Sequence, residues 1–185
     1  MMTKLNILFY KLKLRVKLLT GRRKNRAVIL DRDGSLNFDP GYISEIQNFK
    51  LFPETIPALK KLFENGFLLI VITNQSGIGR GFFTKEKVKK LHSHLEKVLA
   101  ENGIFLAKIF LCPHRPEDNC PCRKPNSLLF EKAVREFRLD VKKCYSVGDK
   151  EKDIEASEKV GIKGFMLGGV LKNILQAAEK IVNDS

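Results

Sequence analysis

From Ala27 onward, short apolar runs alternate with longer amphipathic stretches. The runs Ala27–Leu30, Phe67–Ile72, Ile104–Leu111, Cys144–Val147 and Gly164–Leu167 have the length and apolar density of buried strands. Between and after them, residues 54–65, 84–102, 127–138, 151–160 and 170–182 read as helices. Strands separated by helices of this length need crossover connections, so the pattern predicts an α/β domain with a central parallel sheet and helices on both faces. Ahead of Ala27 two periods compete: Leu5, Leu8, Phe9, Leu12, Val16 and Leu19 lie on a helical stripe, whereas Lys11 to Lys17 alternates polar and apolar. No structure is assigned to that segment.

In open parallel sheets, ligands bind beyond the carboxyl ends of the strands. Four of the predicted strands lead into polar, charged segments: Asp31-Arg-Asp33-Gly34-Ser35, Thr73-Asn74-Gln75-Ser76, a Cys/His-rich loop ending in Arg123-Lys124-Pro125, and Gly148-Asp149-Lys150-Glu-Lys-Asp153. These segments are expected to converge on one edge of the sheet.

Charge changes the picture only for the N-terminus. The formal charge is +13, yet nine of the 34 basic residues precede Asp31 and no acidic residue does, which leaves a net of +4 from Ala27 onward. The chain therefore divides into a basic extension, residues 1–26, and a nearly balanced domain, residues 27–185. The domain's balance and lack of an aromatic stacking platform argue against a nucleic-acid partner. The extension could contact anionic membrane weakly or simply pack as an appendage. No run reaches the roughly 18 apolar residues of a spanning helix and no cleavable leader is apparent, so a cytoplasmic protein is expected; it is also expected to be a monomer.

Two aspartates flanking one residue after a strand are close enough to share a divalent cation. Asp31 can attack phosphorus while Asp33 gives a proton to the departing alkoxide and later takes one from water. An ordinary acidic turn after a strand is the competing reading of this motif alone. Thr73 and Lys124 can stabilise a transferring phosphoryl group, although a strand-end Thr is usually a turn residue and a Lys before Pro usually surface charge. Asp149 could complete the metal site, and Asp153, four residues on, would point at the same spot; the alternative for this pair is capping of the next helix.

Taken as an ordered set, Asp31-x-Asp33-Gly34-Ser35, Thr73, Lys124 and Gly148-Asp149-x-x-x-Asp153 resemble the four motifs of the haloacid dehalogenase superfamily, over nearly all of the chain. The usual Thr of the first motif is Ser35, which keeps the hydroxyl. The resemblance implies a Rossmann-like three-layer sandwich without a cap domain and a Mg²⁺-dependent phosphatase. It makes Asp31 the nucleophile, Asp33 the acid/base, Thr73 and Lys124 the phosphoryl-stabilising pair, and Asp31, the Asp33 carbonyl and Asp149 the Mg²⁺ ligands.

Cys112, His114, Cys120 and Cys122 place four ligands within eleven positions, the number a closed tetrahedral Zn²⁺ site needs, and suit a reducing compartment better than disulfides do. A structural zinc there would orient Arg123 and Lys124. Cys144, in an apolar run, reads as core. The same loop resembles the branch that holds histidinol-phosphate and heptose-bisphosphate phosphatases. The segments from Asp39 through Pro40, Gly41 and Tyr42 to Phe49 and from Thr73 to Phe82 favour the heptose side, while the five-residue zinc-loop spacer is closer to the histidinol side. That resemblance implies removal of the 7-phosphate from a heptose 1,7-bisphosphate, for surface glycan (lipopolysaccharide core) synthesis. It assigns substrate contact to Asp39, Pro40, Gly41, Tyr42, Thr73, Asn74, Gln75, Ser76, Arg123, Lys124 and Lys150. Histidinol phosphate and, more distantly, a polynucleotide 3′-phosphate remain alternative substrates, the second motif being shared with enzymes acting on the latter.

Overall fold

In the computed structural model, which describes residues 2–21 and 24–185, five parallel strands form one sheet in the order β3-β2-β1-β4-β5. They are β1 (Ala27–Leu30), β2 (Leu68–Asn74), β3 (Leu106–Cys112), β4 (Tyr145–Gly148) and β5 (Lys163–Met166). The helices are α1 (Met2–Thr20), α2 (Thr55–Glu64), α3 (Ser76–Gly79), α4 (Lys85–Glu101), α5 (Leu128–Glu136), α6 (Glu151–Glu158) and α7 (Ile174–Asn183). Arg22 and Arg23 of the basic extension, and the side chain of Leu19, lie outside the described residues.

The side-chain alternation of the central strands sets the three layers. Val28 and Leu30 of β1, with Leu69 and Val71 of β2, enter one apolar cluster with Leu59 and Leu62 of α2, Leu95 and Leu99 of α4, and Ala177 and Ile181 of α7. Ala27, Ile29, Ile70 and Ile72 face the other way, against Phe130 and Ala133 of α5 and Ala156 of α6. A strand buried on both faces must be apolar throughout, which is why these runs read so clearly in the sequence. The helices begin where capping residues allow: Thr84 accepts the Lys87 N–H, and Asn173 accepts the Gln176 N–H. The last helix starts at Ile174 rather than 170, because the chain first turns back through a Leu167–Leu171 bridge.

The segment left unassigned by pattern is the helix α1. It packs beside α4, with Leu14 buried and the Tyr10 ring stacked 5.2 Å from Phe105. Lys11 Nζ meets Glu96 at 2.6 Å, and the Arg138 guanidinium donates to the carbonyls of Leu18 and Gly21 at the far end.

Candidate active site

The chain extends the sheet from β1 toward β3 and then crosses to β4, so β1 and β4 are neighbours at the point where the winding reverses. Strand ends diverge there and leave a crevice. Asp31 follows β1 and Asp149 follows β4; the Asp31 N–H donates to the Val147 carbonyl at 2.9 Å. Gly34 adopts φ +85°, and a Cβ at that position would collide with the Asp149 carboxylate; a Cβ at Gly148 would collide with Asp153. Glycine at 34 therefore lets the two loops close on each other, and glycine at 148 leaves room for Asp153.

At the centre lies Lys124, 2% exposed. Its ammonium donates to Asp31 Oδ1 at 2.6 Å and to the Ile72 carbonyl at 2.7 Å, and it meets Asp153 Oδ1 at 2.6 Å. Burial alone would lower the Lys124 ammonium, but the carboxylates of Asp31 and Asp153 outweigh it and leave its pKa above the ordinary value. For Asp31 burial wins: desolvation, against the opposing pull of Lys124, pushes its carboxyl up to about 6. Burial also raises Asp149. Asp153 both caps and pairs, since its second oxygen accepts the Lys150 N–H at the start of α6, 3.1 Å away. The two readings of this residue are compatible.

One carboxylate oxygen from each of Asp31, Asp149 and Asp153 lies within 4.8 Å of the others, an all-oxygen set suited to a hard divalent cation. The Asp33 side chain takes no part in this triangle. It accepts two hydrogen bonds from the Arg32 guanidinium, at 2.9 and 2.6 Å, one from Gln75 at 2.7 Å and one from Asn37 at 3.0 Å. Arg32 is fully buried, and its remaining nitrogen lies 2.9 Å from Nε2 of the buried His92 on α4. Because guanidinium only donates, Nε2 accepts and the ring proton belongs on Nδ1. Burial first, and the Arg32 charge second, push the His92 imidazole down to about 3, keeping it neutral. This Arg32–His92 pair was missed from the sequence. The available signal was His92 standing on the apolar stripe of Val88, Leu91, Leu95 and Leu99, which forces it inward.

These groups open into a cleft of about 230 Å³. Of the residues expected to touch substrate, Asp39, Gly41, Tyr42, Thr73, Asn74, Gln75, Ser76, Arg123, Lys124 and Lys150 line it. Pro40 does not; it lines the adjacent groove with Tyr42. Lys152 and Phe83 join the lining and were not anticipated. Within the cleft Gln75 donates to Thr73 Oγ1 at 2.8 Å, and the Asn74 amide makes two 3.1 Å hydrogen bonds with the backbone of Lys124, fixing the lysine's loop to the end of β2. Lys150 lies 3.5 Å from Asp149 and 3.9 Å from Asp39. The loop after β1 borders the cleft through Asp39, Gly41 and Tyr42, with Tyr42 edge-on to Phe82 and Glu45 bonded to Lys87 at 2.7 Å.

Directly upstream of Arg123, ligand atoms of Cys112, His114, Cys120 and Cys122 also lie within 4.8 Å of one another. Cys112 Sγ is 3.5 Å from Cys120 Sγ, which is 3.5 Å from Cys122 Sγ, and His114 Nδ1 is 3.3 Å from Cys122 Sγ. These separations are close to the edges of a tetrahedron with metal–sulfur bonds of about 2.3 Å, so the four side chains could hold a metal ion. Burial holds the Cys112 and Cys122 thiols above their ordinary value, which a deprotonating cation would have to overcome.

Residues 33–162 match the family described as polynucleotide kinase 3 phosphatase. The D-glycero-beta-D-manno-heptose-1,7-bisphosphate 7-phosphatase of Haemophilus ducreyi is 40% identical over 162 residues, covering 84% of this chain and 89% of that protein. The Helicobacter pylori protein of the same name is 39% identical over 144 residues, 77% of this chain and 83% of its own length. Among solved structures, the D,D-heptose 1,7-bisphosphate phosphatase of B. bronchiseptica, complexed with magnesium and phosphate, superposes with a TM-score of 0.80 at 26% identity, over 87% of this chain and 99% of that one. Four strand-end segments meeting around Asp31 and Lys124, on a fold shared with these enzymes, show that the chain belongs to the haloacid dehalogenase superfamily of phosphatases, in the family that includes the heptose-bisphosphate phosphatases.

Proposed function

We propose that the protein removes the 7-phosphate of D-glycero-D-manno-heptose 1,7-bisphosphate by way of a phosphoaspartate on Asp31, releasing heptose 1-phosphate for surface glycan synthesis. The observation that carries the reading is the Lys124 ammonium held 2.6 Å from both Asp31 and Asp153 at the floor of a cleft with a basic rim. The names of relatives about 40% identical over most of the chain support the choice of substrate.

Asp31 attacks phosphorus as a carboxylate, and the bond from phosphorus to the C7 oxygen breaks. Lys124 and the Thr73 hydroxyl offset charge building on the phosphoryl oxygens. Asp33 donates a proton to the leaving alkoxide; it then takes one from water, whose oxygen attacks the phosphoaspartate and regenerates Asp31. Four donors converge on the Asp33 carboxylate and fix its orientation at the lining of the cleft. A Mg²⁺ ion held by Asp31, the Asp33 carbonyl and Asp149, with Asp153 beside it, would supply Lewis-acid neutralisation of phosphoryl charge. Zn²⁺ on the Cys/His cluster would be structural, having no open position, and would fix the loop that carries Arg123 and Lys124. Arg123, with its planar fork, and Lys150 and Lys152 on the rim suit the second phosphate of a bisphosphate. Four free cysteines, three of them in that cluster, accord with a cytoplasmic setting.

The test is phosphate release from heptose 1,7-bisphosphate, histidinol phosphate and a 3′-phosphorylated oligonucleotide, with phosphorus NMR to identify which phosphate leaves the sugar. Preferred loss of the C7 phosphate is expected. Faster turnover of either other substrate would reassign the specificity, and no turnover of any would remove the enzymatic reading.

A further inference from the structure

Helix α1 carries two apolar stripes on opposite sides. At about 100° per residue, Ile7, Tyr10, Leu14 and Leu18 share the side that packs on the domain, and Leu5, Leu8, Phe9, Leu12 and Val16 share the other. Each of the second set is more than half exposed, with Leu5 at 67% and Leu8 at 65%. Five large apolar side chains in one contiguous solvent-facing row are not explained by folding of the domain, because the inner stripe already supplies the docking contact.

The borders of the outer row are cationic. Lys4 and Arg15 fall along one edge and Lys13 and Lys17 along the other, all exposed, and α1 has no acidic residue. The Lys13 ammonium lies 4.5 Å above the Phe9 ring, its stem laid along the apolar surface and its charge at the margin. An apolar strip bounded on both sides by Lys and Arg matches an interface that is anionic at the headgroups and apolar beneath them. A second copy of the chain fits worse, since apposing two such faces brings cationic borders against cationic borders. None of the described helices is long and apolar enough to cross a membrane, so contact would be in the plane of the surface.

We infer that α1 is an in-plane anchor through which the outer row Leu5, Leu8, Phe9, Leu12 and Val16 inserts into an anionic lipid surface while the inner row holds the catalytic domain. The full chain is tested by sedimentation with vesicles of phosphatidylcholine alone and of phosphatidylcholine with an equal part of phosphatidylglycerol. Binding to the mixed vesicles but not the neutral ones is expected. Leu8→Asp combined with Leu12→Asp, and separately Lys13→Glu combined with Lys17→Glu, should each weaken that binding by at least about tenfold. Phosphate release should stay at the parent level in both, because none of the four residues lines the catalytic cleft. Equal sedimentation of parent and both variants, or no sedimentation of the parent, overturns the inference. So does a lipid-free dimer that the Leu8→Asp and Leu12→Asp pair dissolves, which would make the face a contact between copies. Circular dichroism identifies a variant that fails to fold, and the other variant then decides.

Discussion

Replacing Asp31 by Asn is expected to abolish turnover and, without divalent metal, to make the folded protein more stable. Burial outweighs the attraction of Lys124, so the Asp31 carboxyl titrates at about 6 rather than at 3.8. A shift of about two units corresponds to roughly 3 kcal/mol against the ionised form, at about 1.4 kcal/mol per unit. Between those two values the folded protein keeps a proton that the unfolded chain has released. Stability therefore falls as pH rises through the window, and the penalty is complete above the folded value. Asparagine has no charge to bury and escapes it. His92 runs the other way: its imidazole, held down at about 3, makes stability rise with pH up to the ordinary histidine range. The raw pH curve mixes both trends, whereas the difference between parent and variant cancels that of His92. Urea unfolding in chelator at about pH 4 and about pH 8 should show a gap that is small at the lower pH and up to roughly 3 kcal/mol at the higher. Added magnesium should narrow the gap at the higher pH by favouring the parent. A variant that is no more stable than the parent at about pH 8, or a gap that ignores pH, would refute the reasoning.

Lys124→Met strands the buried carboxylates of Asp31 and Asp153; stability should fall by about 3–5 kcal/mol in thermal unfolding and kcat by about 10²–10³-fold, and activity within tenfold of the parent would exclude its central role. Arg32→Met releases two of the four hydrogen bonds that orient Asp33, so kcat should drop by at least about tenfold with little change in KM; an unchanged kcat in a folded variant would leave Arg32 a purely structural residue. Stripping the Cys/His cluster, by a zinc chelator or by Cys120→Ser, should lower the thermal midpoint by at least about 5 °C and weaken activity through the Arg123–Lys124 loop; an unchanged midpoint would argue that the cluster holds no structural ion.

The centre of the sheet was legible because β1 and most of β2 are buried on both faces and apolar, as in Val28 to Leu30. The order of the four polar segments was legible because each follows directly on one of the strand runs. Helix α1 was not. With apolar stripes on opposite sides, residues two apart fall on alternate faces: Leu12 and Val16 outside, Leu14 between them inside. A helix of this kind imitates the alternation of a strand, and only its packing on α4 resolves the ambiguity. Arg32 was hidden differently. A charged residue between two aspartates reads as solvated, and its burial depends on His92, 60 positions away, to accept its third hydrogen bond. Pro40 was grouped with its neighbours by resemblance alone, and the turn at Gly41 and Tyr42 aims it into a different groove.

The ion pair between Asp31 and Lys124 joins residues 93 positions apart, and Asp149 comes from a further strand beyond the sheet's reversal. What an incoming anion would meet comes from the ends of four separate strands. Affinity for a phosphate in this cleft would consequently depend on the completed sheet, and a ligand bound there would protect the whole domain against unfolding, by about 2.7 kcal/mol at a hundred times its dissociation constant. Ligand-dependent melting thus reports correct assembly of the molecule even when no product is measured.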